Sequence, residues 1–173
     1  MRALIAAECT LDAMPSERDT QRPPEPVLVS ACLLGCYCRH DGRTNEDRVL
    51  ERELEREGLR AVPFCPEEHG GLGTPRPAAW IRGGDAAAVL DGEAQVRTEA
   101  GADVTRAFLE GARGALALCR AQGIRRAYLK ERSPSCGTRQ THVDGQLAAG
   151  PGLTSALLAR SGIEVRGVEG RRD

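Results

Sequence analysis

Three short apolar runs punctuate the chain, and each leads into a segment carrying a cysteine. Val27 to Ala31 precedes Cys32, Leu59 to Phe64 precedes Cys65, and Ala127 to Leu129 precedes the Ser133–Gly137 segment with Cys136. Runs of this length and composition predict strands, the most apolar of them buried on both faces as in a parallel sheet. Between them the period becomes helical. Val49, Leu50 and Leu54 predict a helix over Glu46–Glu57, with Asn45 as its cap and Gly58 as its stop. Val104, Phe108, Ala112, Ala115 and Leu118 or Cys119 predict a longer helix over Asp103–Gln122, ended by Gly123. Arg126–Leu129 is the third strand, Leu153–Arg160 a last helix and Ile163–Val165 a last strand.

The remaining stretches read as connections. Glu68–Gly84, rich in Gly and Pro, is a long loop of the kind that is usually functional or disordered. Ala86–Leu90 and Ala94–Arg97 flank Asp91-Gly92 as a hairpin, and a second hairpin is expected around Asp144-Gly145. Residues 1–26, mixed in charge and closing on Pro23-Pro24-Glu25-Pro26, read as a flexible leader, with residues 27–173 as one domain. The alternation of strands and helices predicts an α/β fold: a small three-layer, Rossmann-like or flavodoxin-like domain with a mainly parallel sheet plus hairpin insertions. In such a sheet ligands bind outside the carboxyl ends of the strands. Cys32, Cys65 and Cys136 therefore share a functional address.

Composition narrows the chemistry. Aromatic residues make up only 3% of the chain, so aliphatic side chains must fill the core. A net charge of −1 gives no basic footprint for a long nucleic acid, although a base or nucleotide stays possible as a substrate. No apolar run approaches the roughly 20 residues of a membrane span. The brief apolar piece Ala3–Ala7 is too short for a secretory signal, so a cytoplasmic location is expected. The seven cysteines are an odd number, and in a reducing compartment they point to metal binding or catalysis rather than disulfides.

A 4Fe–4S cluster takes soft thiolates, usually four, from positions set by the cubane rather than by sequence spacing. Cys32, Cys65 and Cys136 can supply three, leaving one iron open as in a catalytic metal site. Pro66 and Pro134 are expected to stiffen the ligand turns, and Gly35 and Gly137 to give the cluster room. A rival set is local: Cys32, Cys36 and Cys38 form a C-x3-C-x-C triplet that suits a non-enzymatic metal-binding or redox-sensing module. Spacing leaves the ligand set open. Cys9, in the leader, and Cys119, on a helical stripe, read as bystanders. Arg39, Asp41, Lys130 and Ser135 are candidates for contacting a base or its phosphate.

Several motifs occur in order: Ser30-Ala31-Cys32-Leu33-Leu34-Gly35, Arg39-His40-Asp41-Gly42, Cys65-Pro66-Glu67, Gly70-Gly71-Leu72, Pro75-Arg76-Pro77, Asp103-Val104-Thr105, and Lys130 with Ser133-Pro134-Ser135-Cys136-Gly137. Together they resemble the thiouracil desulfurase family over about Val27–Gly167. The resemblance implies a 4Fe–4S cluster on Cys32, Cys65 and Cys136 with one open iron. It implies that Glu67 and Ser133 act at the substrate, a small thiolated pyrimidine such as 2- or 4-thiouracil or its nucleoside or nucleotide. It also implies sulfide release without net electron transfer. The sequence departs from the family at His40, commonly Tyr, at Ala78-Ala79-Trp80, where a Glu often sits, and after Gly137. These departures bear on substrate choice.

Overall fold

The computed structural model describes residues 23–171; the leader up to residue 22, Cys9 included, lies outside the described residues. Four parallel strands form the first sheet, in the order β2-β1-β5-β8: β1 (Glu25–Ser30), β2 (Leu59–Phe64), β5 (Arg126–Lys130) and β8 (Glu164–Val168). β1 is central, and its apolar run is explained by burial on both faces. Val27 and Val29 pack with Leu50 and Leu54 of α1 (Arg48–Arg56), whereas Leu28 packs with Ala115, Cys119 and Leu158 of α4 (Thr105–Gln122) and α5 (Leu153–Arg160). Helices on both faces make the three layers expected.

The insertions do more than form isolated hairpins. They join into a second, mixed sheet in the order β4-β3-β6-β7, built from β3 (Ala79–Arg82), β4 (Gln95–Thr98), β6 (Gln140–Val143) and β7 (Gln146–Ala149). β3 runs antiparallel to β4 and parallel to β6. Its inner face packs Ile81 and Val96 with Phe108 of α4 and Leu153 of α5. The expected β6–β7 hairpin is present, and positive φ at both Asp144 (51°) and Gly145 (80°) suits a type I′ turn.

Three expectations need correction. Ala86–Leu90 is a helix, α3, rather than a hairpin strand. Its alanines are strong helix formers, and the Asp85 carboxylate caps it by accepting from the Ala88 N–H at 2.9 Å. β4 accordingly pairs with β3 instead. The long loop is shortened at both ends, by α2 (Pro66–His69) and by β3. Finally, Asn45 does not cap α1: Asp47 does, accepting from the Leu50 N–H at 3.0 Å. Asn45 has another partner, described below.

Helix α2 matters for the site because it starts directly after Cys65 and carries Glu67. Glycines on both sides let it lie against α4 backbone to backbone. A side chain at Gly70 would collide with the Ala107 carbonyl, and one at Gly111 with the Pro66 carbonyl. Glu67 is thus carried on a short helix braced by the longest one. Among the described residues, no helix is long and apolar enough to cross a membrane.

Candidate metal and substrate site

The register of the parallel sheet decides where the cysteines go. Ser30 is paired with Phe64, so the chain leaves β1 toward Cys32 and β2 toward Cys65 from adjacent exits. β5 lies on the other side of β1 and leads into the segment bearing Cys136. This is a switch point, where successive connections leave a strand in opposite directions and a crevice opens. A cavity of about 520 Å³ occupies it, within the usual range for small-molecule sites. Cys32, Cys65 and Cys136 all line it, with Glu67, Ser133, Arg39 and Lys130. Trp80 of β3 and His142 of β6 close it from the second sheet.

Cys38 also lines this cavity, and its side chain is buried, whereas Cys36 is exposed and does not line it. The local triplet is therefore split. Neighbours and burial polarise the thiols differently. Hydrogen bonding from Cys38 holds Cys32 down at about 7 against the opposing effect of burial, with further help from Asn45, Lys130 and Arg39. Cys38 also lowers Cys65. Cys38 is itself raised, as the donor to both and through burial. Burial raises Cys136 despite a hydrogen bond from Ser30. Asn45 joins the site through its amide, donating from Nδ2 to the Cys32 sulfur at 3.7 Å while its Oδ1 accepts from Arg39 Nη1 at 2.6 Å. It follows Thr44, whose hydroxyl donates to the Cys32 carbonyl at 2.8 Å.

Among the described residues, Glu67 is held by one edge only. Arg76 Nε donates to its Oε2 at 2.8 Å, in an ion pair whose side chains are 7% and 16% exposed. The same guanidinium donates to the Cys38 carbonyl at 2.9 Å and to the Thr74 hydroxyl at 2.9 Å. Arg76 therefore ties the general-base candidate to the cysteine-bearing loop. The Ser133 hydroxyl oxygen accepts from the backbone N–H groups of Ser135 and Cys136, both at 3.1 Å. These bonds organise the turn before Cys136 and leave the hydroxyl proton available for donation.

The other candidates are placed differently. Asp41 pairs with Arg39 through both carboxylate oxygens, each at 2.9 Å, and does not line the cavity. Ser135 is fully buried, with its hydroxyl 2.8 Å from that of Thr154. Neither Gly35 nor Gly137 makes room in the cavity. Gly35 adopts a positive φ of 84°, and a side chain at Gly137 would collide with the Gln140 carbonyl. Gly137 is needed so that the loop can pass close to β6.

That loop is clamped by Glu131, whose side chain is 2% exposed. Burial alone would raise its carboxyl, but hydrogen bonds from Thr138 and Arg139 outweigh burial and hold it at about 2. Arg139 Nε donates at 3.0 Å, and the Thr138 N–H donates at 3.2 Å. A depressed carboxyl stabilises above its unfolded value, near 4.5, and loses that contribution as pH falls through about 2. Acid unfolding should show the protein losing on the order of 3 kcal/mol across this window. Glu131→Gln should show little of that pH-dependent loss.

A family profile described as 2-thiouracil desulfurase matches residues 27–169. The chain belongs to the 2-thiouracil desulfurase family. Among relatives of this desulfurase-family chain, the uncharacterized protein YbbK of Bacillus subtilis (strain 168) is 38% identical over 142 residues, covering 80% of this chain and 93% of its own. The solved structure of the 4Fe–4S-dependent thiouracil desulfidase TudS is 48% identical, with a TM-score of 0.70. That match covers 83% of this chain and 90% of TudS. The donor set suits an iron–sulfur group: soft thiols from three strand exits share one cavity, with a general-base candidate alongside.

The sequence pattern gives Asn45 only a capping role and assigns none to Arg76 or Trp80. Arg76 was within reach, since Pro75-Arg76-Pro77 is one of the family motifs. Trp80 had a signal too, as a departure from the family at a position facing the cavity.

Proposed function

We propose that the protein desulfurates a thiolated pyrimidine, replacing C=S by C=O and releasing sulfide without net electron transfer. The observation that carries this reading is the convergence of Cys32, Cys65 and Cys136 with Glu67 and Ser133 on one cavity. The family membership and the 4Fe–4S dependence of TudS point the same way. Cys32, Cys65 and Cys136 would hold a 4Fe–4S cluster with one iron open to substrate. When bound, the cluster supplies a Lewis acid suited to a soft thiocarbonyl sulfur.

The chain's own groups supply the rest. Glu67, with Oε2 fixed by Arg76, takes a proton from the water that adds to the ring carbon. Ser133 donates its hydroxyl proton to orient that water or the ring. Arg39 and Lys130 line the cavity as cations for an electron-rich base or its phosphate, with Asp41 bracing Arg39. Ser135 supports binding indirectly, through the loop that carries Ser133. Trp80 lines the cavity from the second sheet, whereas its indole N–H is buried and has no hydrogen-bond partner among the described residues. Trp80→Phe, which keeps an aromatic face and removes only that covered donor, is expected to change KM by less than about threefold in steady-state assays.

The test is sulfide release by anaerobically reconstituted protein, offered 2- and 4-thiouracil and their nucleosides and nucleotides. Release from at least one, with the oxygenated pyrimidine as co-product, supports the reading. No release from any of them by cluster-loaded protein overturns it. A second reading draws on the proximity of Cys38, Cys65 and Glu68, whose donor atoms lie within 4.8 Å of one another. It makes the protein a metal-binding module holding a single ion. Metal analysis separates the two, since a single-ion module carries no acid-labile sulfide.

A further inference from the structure

The desulfuration reading leaves an imidazole at the cavity without a task. His142 lines it from β6, in the segment after Gly137 where the sequence departs from the family. Its Nδ1 lies 2.9 Å from the Arg132 carbonyl, which can only accept, so Nδ1 carries the proton. In the neutral ring Nε2 is then an acceptor, and among the described residues it has no hydrogen-bond partner. The ring is firmly mounted. The Arg132 N–H donates to the Gln140 carbonyl at 3.2 Å, and the Thr141 hydroxyl donates to the Ser133 carbonyl at 3.0 Å. β6 thus ties down the Arg132–Ser133 segment at successive points and sets the imidazole against the peptide that joins those two residues.

Side-chain acceptors are scarce at this cavity. Arg39, Arg76, Lys130 and Arg132 only donate. Asn45 Oδ1 is taken by Arg39, the Glu131 oxygens are taken by Thr138 and Arg139, and Glu67 is assigned to the water. His40 lines the cavity as well, but among the described residues no bond fixes which of its nitrogens accepts. We propose that His142 Nε2 accepts from the ring N3–H of the pyrimidine, which makes the site selective for uracil-type over cytosine-type rings. The identity of the ligand rests on the desulfuration reading above. N3 lies between C2 and C4, so its N–H flanks the thiocarbonyl in both 2- and 4-thiouracil, and ribose at N1 leaves it free. A cytosine-type ring has a bare lone pair at N3 instead. Two acceptors then face each other with neither satisfied, and a site built around a substrate N–H rejects such an analogue. His142 is thereby a specificity-determining residue, and no proton of the reaction passes through it.

The experiment is anaerobic calorimetric titration of the reconstituted protein with uracil, cytosine, uridine and cytidine, comparing wild type, His142→Asn and His142→Gln. These oxygen analogues bind without turnover. Asn can still donate to the Arg132 carbonyl but has no atom at the place of Nε2. Gln can bring its side-chain carbonyl to that place while giving up the Arg132 bond. Wild type should bind uracil or uridine at least about tenfold more tightly than the cytosine counterpart. His142→Asn should lose about tenfold in affinity for the uracil-type ligand, bringing the two ring types within about threefold of each other, whereas His142→Gln should keep the preference. A preference that survives in His142→Asn overturns the assignment and leaves His142 a structural anchor for the Arg132–Ser133 segment. A wild type that shows no preference, or binds none of the four ligands, overturns it too. Failure of the desulfuration reads separately: a loaded wild type that releases no sulfide from thiopyrimidines removes that reaction, and the comparison of ring types still decides the role of His142.

Discussion

Glu67→Gln is expected to lower sulfide release by about 10²–10⁴-fold while iron and sulfide content stay at the wild-type level. The amide keeps the size of the side chain and can still accept from Arg76, so the brace between α2 and the Cys38 carbonyl is retained. What it cannot do is take a proton from water. The measurement is kcat on the preferred substrate beside a metal assay of the same sample. Loss of activity with loss of iron would mean that Glu67 supports the fold of the metal site, and unchanged activity would remove it as the base. Its place in the chain favours a chemical role, because α2 is short and its position is set by Gly70 and Gly111 against α4 rather than by the carboxylate.

The second large effect concerns the thiols. Cys65→Ala and Cys136→Ala are each expected to abolish stable cluster retention, and sulfide release should then fall to the buffer rate. Cys119→Ala serves as the control: it removes a buried thiol of the helical core, and the protein should keep its full iron content. Iron counts after anaerobic gel filtration check all three. Full iron retention by Cys136→Ala would contradict the ligand set, since Cys136 is the donor that comes from the opposite side of β1. Far-ultraviolet circular dichroism distinguishes this from unfolding.

Much of this site was legible before any coordinates, and the reason is β1. A central parallel strand is buried on both faces, so it reads as an unbroken apolar run, and its end can be located to within a residue or two. The same holds, less cleanly, for the strands ahead of Cys65 and Cys136. Helix α4 was legible because Phe108, Ala112, Ala115 and Cys119, all buried, recur at helical spacing, and the β6–β7 hairpin because Asp144-Gly145 suits its turn. Helix α3 was not, because a five-residue apolar run satisfies either period and only the Asp85 cap distinguishes them. Asn45 was read as a cap since its residue type fits one, yet its amide faces Cys32 and Arg39, and Asp47 takes the capping role. Side-chain direction was the limit again at Cys36 and Cys38. Two positions apart on a tight turn, one thiol faces solvent and the other the cavity. Spacing alone carries no such information.

The sulfurs at this cavity arrive from segments far apart along the chain, and this ties occupancy to endurance. A denatured polypeptide has no equivalent clasp, so whatever the native clasp grips draws the equilibrium away from unfolding by mass action. With the proposed cluster bound, melting temperature becomes a gauge of how fully the protein is charged, and removing the iron is expected to leave a chain that heat dismantles sooner.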